Sequence, residues 1–529
     1  MQALLNTLSL PAWKVTRMAD TRHSWRQEMP GFLHFLDETL DYRVRLHEEV
    51  LGFHLYFVDF AAWKLRFSDR SPVIWVRGHD LTALSERELT QSLIELIRVR
   101  NLAERNPILL VDGSAAGLRS ALQRTLVPAL VLDRADQEAV RESRRPTSEL
   151  LDRLSRQMAL SLLTPYETSK PVSGSRFFGR DLELRRVLQG SASNFAIMGI
   201  RRIGKTSLLR EVERRLRADA QESDDERAQQ RIIVMDCSAI TSPHDFVREV
   251  VRKLHPPELA RLDNRQFPIF FPDFLQRMSR RFGGRLTFLL DEFDSLLAWQ
   301  NTDGALLHAL RASSNLGHCR YIIAGFRDLM RAGNNLDSPL YNFAKDIRLK
   351  ELSREQASEM ITGPLEKLRV RFEQHGEIVN RIYDETAGQP NLIQFYCQAL
   401  VERLDQENSR VLTPAHLTDV YANEDFRTFV LGAFMDNTIH PEKMIVFAIL
   451  AEYGGDHCFG LEAIDAALTQ RQVTMRVLDI EQACRNLEMA GTLATSGREY
   501  RFATPVFPRV LTEKYDPHFL FRKLQREGL

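Results

Sequence analysis

The stretch NFAIMGIRRIGKTSLLREVERRL, from Asn194 to Leu216, admits few folds. Phe195–Met198 is an apolar run of buried-strand length. It is followed by Gly199-Ile-Arg-Arg-Ile-Gly204-Lys205-Thr206, a Gly-x-x-x-x-Gly-Lys-Thr loop, and from Ser207 onward apolar residues return with helical spacing. A strand that turns through such a loop into a helix aims backbone N–H groups and the positive end of a helix dipole at one point, which suits phosphates. Gly199 and Gly204 let the backbone wrap them, Lys205 can reach the β- and γ-phosphates, and the Thr206 hydroxyl can ligate Mg²⁺. With Arg202 in the loop and Ser207 at its end, these residues are the expected contacts for ATP or ADP.

Two further apolar runs end in chemistry. LTFLLDEFDSLL closes on Asp291 and Glu292. An acid at the tip of a buried strand beside the phosphate-loop strand can hold the Mg²⁺ water shell, so Asp291 joins Thr206 as a metal candidate. Glu292 can polarise an attacking water as general base. Asp294 reads equally as a helix N-cap. RYIIAGFRDL places Arg327 at the tip of a neighbouring strand. There it can sense the γ-phosphate through charge-assisted hydrogen bonds, or make a surface ion pair; spacing does not separate the two.

FFGRDLELRRVL, the loop from Gly199 to Ser207, LLDEFD, AGFRDL and AGQPNLIQFYCQAL occur in that order. Together, over about residues 171–510, they resemble the STAND branch of P-loop ATPases, relatives of AAA+ proteins, and especially its prokaryotic members. The resemblance implies that Phe178, Gly179 and Arg180 lie against the adenine, and that Lys205 and Thr206 are the Walker A pair. It makes Asp291 and Glu292 the Walker B pair and Arg327 the arginine sensor. Gly388-Gln389-Pro390 resembles the motif of the helical lid whose Pro390 packs near the base, although Gly-x-Pro is also an ordinary helix start. Such proteins are usually held closed with ADP; ATP exchange opens them and often drives homo-oligomerisation, with an unidentified protein partner or effector domain reporting the change.

The remaining sequence sets the boundaries. A chain of 529 residues with 44% apolar and 27% charged residues can fill several cores. Lys+Arg and Asp+Glu both total 71, so no global positive field draws it onto nucleic acid or lipid. The five cysteines form no CxxC pair, which points away from zinc and disulfides and toward a reducing cytoplasm. MQALLNTLSLPAWKVTRMAD has no basic n-region or clear cleavage site, and no apolar run approaches a membrane span. The expected organisation is an N-terminal α/β domain over 1–165, an ATPase core over 166–345, a helical lid over 346–435 and a winged-helix-like domain over 436–529. TSKPVSGSR reads as a linker, and RADAQESDDERAQQ as an exposed helix end and loop.

Past Asn437, three helical segments and a β-like pair around Gly497 resemble a winged helix. Its third helix carries Asp479, Glu481 and Glu488 against Arg485, a poor surface for phosphates, so DNA is weighed as a partner and not favoured. In the N-terminal region HLYFVDF, PVIWVRGHD, NPILLVDG and PALVLDRAD suggest a small parallel sheet whose shared edge carries Asp59, Asp80, Asp112 and Asp133, with His79 beside Asp80. These carboxylates suit a metal or cationic ligand, or, more simply, helix caps and turns. The leading expectation is a slowly ATP-hydrolysing switch. The alternatives are a DNA-bound ATPase similar to an origin initiator or transposition regulator, and a switch gating an N-terminal effector enzyme.

Overall fold

The computed structural model describes residues 26, 28–125, 127–222, 226–262, 267–299 and 304–527; the opening stretch MQALLNTLSLPAWKVTRMAD lies outside them. The chain divides into two compact units, the first made of 1–165, 363–371 and 401–411 and the second of 166–362, 372–400 and 412–529. No helix among the described residues is long and apolar enough to cross a membrane.

The first unit is built on a five-stranded sheet in the order β1 (Val44–Val50), β2 (Phe53–Val58), β3 (Ser71–Val76), β4 (Ile108–Val111), β5 (Leu130–Leu132). The sequence expectation of a parallel sheet holds only for β3, β4 and β5. β2 runs antiparallel to both β1 and β3. A parallel pair needs a crossover, usually a helix. The residues after β2 instead turn inward, burying Phe60, Trp63, Leu65 and Phe67. Trp63 stacks on Phe60 at 4.4 Å and its Nε1 donates to Tyr42 Oη at 3.0 Å. Because β2 is reversed, Asp59 starts at the opposite edge from Asp80, Asp112 and Asp133. β1 escapes a sequence search because VRLHEEV is polar, as edge strands often are. Trp63→Ala should lower stability by about 3–5 kcal/mol, read as a fall in denaturant midpoint at unchanged slope.

The second unit contains a five-stranded sheet, ordered β10 (Lys345–Arg348), β6 (Phe195–Met198), β9 (Cys319–Gly325), β8 (Leu286–Asp291), β7 (Ile232–Asp236), with every pair parallel. The expectation that the acid-tipped strand β8 lies beside the phosphate-loop strand β6 is corrected here. β9 sits between them, an order that local sequence patterns do not encode. β6, β8 and β9 are near-continuous apolar runs because helices cover both faces, whereas the edge strand β10 (KDIR) is exposed at three of its four positions. One face packs Phe246, Val250, Phe271, Phe274 and Leu310; the other packs Val187, Leu208, Leu209 and Val212.

Helix His375–Thr386, in the region expected as a lid, ends at Ala387 and Gly388, both left-handed (φ 49° and 73°). Gly388 is required there: a Cβ would come within 2.5 Å of Leu352 O. Helix Pro390–Gln406 then starts with proline in its first turn. Farther on come helices His440–Tyr453, Leu461–Thr469 and Val477–Met489, the antiparallel hairpin β13 (Leu493–Ser496) and β14 (Glu499–Phe502), and two helices beyond the expected module, Val506–Lys514 and Pro517–Glu527. The short pairs β11 (Arg371–Phe372) and β12 (Val411–Leu412) complete the strands. The charged tract around 217–230 is helical at Lys205–Glu222 and Glu226–Gln230, with 223–225 outside the described residues.

Candidate nucleotide site

The phosphate loop leaves β6 at Gly199 and enters helix Lys205–Glu222. Gly204 has φ 105°, open to glycine alone, and a Cβ placed on it meets no heavy atom within 4 Å, so the loop leaves a concave space above itself. Lys205 is buried, and its Nζ donates to Gly199 O at 2.8 Å and Ile200 O at 3.0 Å. Burial pulls its pKa below the ordinary lysine value, against the opposing pull of Glu292, Asp291 and Asp294. A buried ammonium bonded to two backbone carbonyls of the loop is a donor suited to phosphate oxygens.

Around the loop lies a cavity of about 410 Å³, within the range of small-molecule sites. Its wall includes Phe178, Arg180, Arg202, Gly204, Lys205, Thr206, Ser207, Glu292 and Pro390, nine of the expected residues brought together. Glu292 enters it from the end of β8 in a left-handed conformation (φ 48°), a cost for a non-glycine residue that is concentrated at functional sites. Asp291 ends β8, in register with Asp236, and accepts the Glu292 N–H at 3.1 Å. Mg²⁺, when bound, would neutralise phosphate charge; Thr206 Oγ1 and the Asp291 carboxylate are hard oxygen donors that fit it.

Several expected roles change. Arg180 is buried and donates to Ile203 O and Lys350 O, so it ties the phosphate loop to the end of β10. Gly179 joins it to Phe178 in the backbone. Ser207 Oγ accepts the Val172 N–H at 3.2 Å, a bond to protein. Arg202, left-handed at φ 66°, reaches Asp436 at 3.5 Å and lies 4.8 Å from the Phe429 ring centre. Asp294 caps a helix, and not its own: its carboxylate accepts the N–H groups of Phe326 (2.6 Å), Asp328 (2.9 Å) and Leu329 (2.9 Å), fixing the start of helix Arg327–Asn334.

Arg327 is the largest departure. It is absent from the cavity wall among the described residues. Both terminal nitrogens donate to Glu442, each at 2.8 Å, and one also donates to Asn437 O. The Glu442 side chain is fully buried and that of Arg327 is 13% exposed. Asn437 Oδ1 in turn accepts the Arg201 N–H at 2.9 Å. Glu442 is also the third residue of helix His440–Tyr453 and accepts the Ile439 N–H at 3.0 Å.

The TSKPV stretch, expected as a linker, lines the cavity from Thr168 to Val172, with Met360, Asn391 and Gln394 also unforeseen there. In the first unit the capping and turn reading agrees with the contacts of Asp59, Asp80 and Asp133, while Asp112 has a side-chain partner instead. Asp59 accepts the Ala61 N–H, Asp80 the Arg77 N–H, Asp112 the Trp75 indole N–H, and Asp133 the Asp136 N–H. His79 pairs with Asp80 at 3.1 Å. No group of three or more His, Cys, Asp or Glu among the described residues is placed to hold a metal.

The family model described as novel STAND NTPase 1 matches residues 163–420. No curated protein matches the chain at a significant level. Among solved structures, the Walker-type ATPase PABY2304 of Pyrococcus abyssi superposes with a TM-score of 0.49 at 16% identity, covering 66% of this chain and 100% of its own. The Aeropyrum pernix ORC2 protein gives 0.48 at 14% identity, covering 68% and 96%. Thermotoga maritima RuvB gives 0.37 at 17% identity, covering 66% and 99%. Residues 163–420, which include the glycine loop and the acid-tipped strand, are therefore similar to the STAND NTPases, and the chain carries a P-loop ATPase core.

Proposed function

We propose that this chain is an ATP-driven switch in which the segment Asp436–Glu442 is docked on the nucleotide loop in one state and released in the other. The observation that carries this reading is the engagement of Arg327. An arginine at the tip of the strand next to β6 is held by Glu442 and Asn437 instead of facing the cavity. A γ-phosphate offers that guanidinium a competing anion, so ATP and ADP differ in their affinity for the two arrangements, which is what a switch requires.

In this reading Lys205 and the loop N–H groups hold the phosphates, and Thr206 and Asp291 hold Mg²⁺. Glu292 takes the proton of the attacking water. The helices from His440 to Met489 with hairpin β13–β14 are a winged helix acting as the moving part. Ala490, just after its third helix, packs in the same cluster as Ile200 and Ile203 of the phosphate loop. DNA is disfavoured as its partner because Arg476, at the N-cap of that helix, and Arg485, within it, already pair with Asp479 (2.7 Å) and Glu481 (2.6 Å). Release of the segment would expose surface for self-association, with signalling as the output.

The test is nucleotide content, turnover and light-scattering mass of the purified protein beside Lys205→Ala. Bound ADP, slow turnover and ATP-dependent mass increase are expected. Lys205→Ala should lose about 10- to 100-fold in nucleotide affinity and with it the assembly, because charge-assisted bonds to phosphate disappear. Rapid basal turnover at constant mass would refute the switch and make DNA the next ligand to titrate.

A further inference from the structure

Helix Lys205–Glu222 carries a buried carboxylate that the phosphate chemistry leaves unused. Glu211 is 1% exposed, among neighbours Leu208, Leu209 and Val212 that belong to the apolar core. A carboxylate in that setting needs partners to offset its desolvation. It has them in the Gly174 N–H at 2.7 Å, Arg214 at 2.7 and 2.8 Å, and Arg215 at 2.9 Å. Burial works to raise its pKa, and these bonds outweigh it, so the group stays below the usual glutamate value.

Gly174 opens a single 3₁₀ turn, Gly174–Arg176, directly after a segment with no regular structure, and the two together wall the nucleotide cavity through Lys170, Pro171, Val172 and Arg176, with Phe177 and Phe178 following. An irregular wall keeps its shape only through side-chain bonds to its backbone. Two come from one face of the phosphate-loop helix, four residues apart: Ser207 Oγ takes the Val172 N–H and Glu211 takes the Gly174 N–H. A third comes from the lid, where Gln394 Oε1 takes the Glu167 N–H at 2.7 Å. The phosphate loop is polar, whereas the wall offers Val172, Phe177, Phe178, Leu352, Met360 and Pro390, a surface for a planar base.

We propose that Glu211 is a positioning residue for nucleoside recognition, holding segment 170–178 against the base and sugar without touching the nucleotide; this rests on the cavity being the ATP site. The experiment is calorimetric titration of ADP and of inorganic pyrophosphate, which lacks the nucleoside, into the full chain. Glu211→Leu should lose about 10- to 100-fold in ADP affinity, the effect of one hydrogen bond to a charged group transmitted through the wall, and keep its pyrophosphate affinity. Glu211→Gln, whose amide oxygen can still accept from Gly174, should remain within about threefold of the parent for ADP, as should Arg214→Ala.

Equal losses for both ligands, or no loss for either, in folded Glu211→Leu would overturn the proposal and leave the ATP site standing. Parent protein that binds neither ligand would remove the site and the proposal together. Amide exchange on the unaltered protein gives a test independent of that variant's folding. The Gly174 and Val172 amides should be protected, more so with ADP, and exchange at the rate of free amides in both conditions would equally overturn it.

Discussion

Replacing Glu292 with glutamine is expected to lower single-turnover ATP hydrolysis by about 10²- to 10⁴-fold, the usual contribution of a positioned general base, while ATP and ADP affinities stay within a few-fold. The separation follows from placement. Glu292 reaches the cavity from the tip of β8 in a left-handed backbone conformation, whereas the loop that would grip phosphates leaves β6, two strands away. Glutamine preserves length and backbone and removes only the ability to take a proton. Asp291→Asn should differ in kind, weakening nucleotide binding chiefly where Mg²⁺ is present, because it removes charge from the proposed metal ligand. Turnover within threefold of the parent in Glu292→Gln would mean that the water is activated by another group.

The second large effect concerns the Arg327–Glu442 pair. Glu442→Gln leaves a guanidinium at 13% exposure facing a neutral amide. Removing one partner of a buried pair typically costs about 3–5 kcal/mol, and that cost falls on the docked arrangement alone. The undocked population should rise by about 10²- to 4 × 10³-fold, read as faster release of a fluorescent ADP and as amide exchange gained in residues 436–445. The double variant Arg327→Met/Glu442→Leu is the informative companion. An apolar pair of similar volume can replace a buried ion pair with little loss, so slow release should return while the response to ATP over ADP is blunted. Unchanged release in Glu442→Gln, with the protein folded, would show that the pair does not govern the switch.

Much of the site was readable because its chemistry is contiguous. Phe195–Met198, the glycine loop and the helix after it are one stretch of chain, and their geometry follows from strand, turn and helix preferences acting within a few residues. The apolar runs ending in Asp291 and Arg327 were legible for the same reason. What the sequence misassigned were partners. Asp294 has the composition of a cap, and it is one, for a helix starting 33 residues later at Arg327. Thr168–Val172 has linker composition because it has no regular structure, and that says nothing of whether side chains elsewhere pin it down. Asp80, Asp112 and Asp133 read more simply as caps and turns than as a ligand-binding edge, and only the structure shows the backbone N–H or indole that each accepts.

By itself, then, the sequence determined that one part of this chain builds a parallel sheet around a phosphate loop, and it named nine of the residues that line the cavity there, since those signals lie in short-range periodicity and glycine placement. Only the tertiary structure decided that β2 reverses, that β9 separates β6 from β8, that Ser207 and Glu211 serve the cavity wall, and that Arg327 faces Glu442. Each of those is a choice among contacts between residues far apart in the chain. Local preference leaves such alternatives nearly equal in energy, and burial and the pairing of buried polar groups select among them.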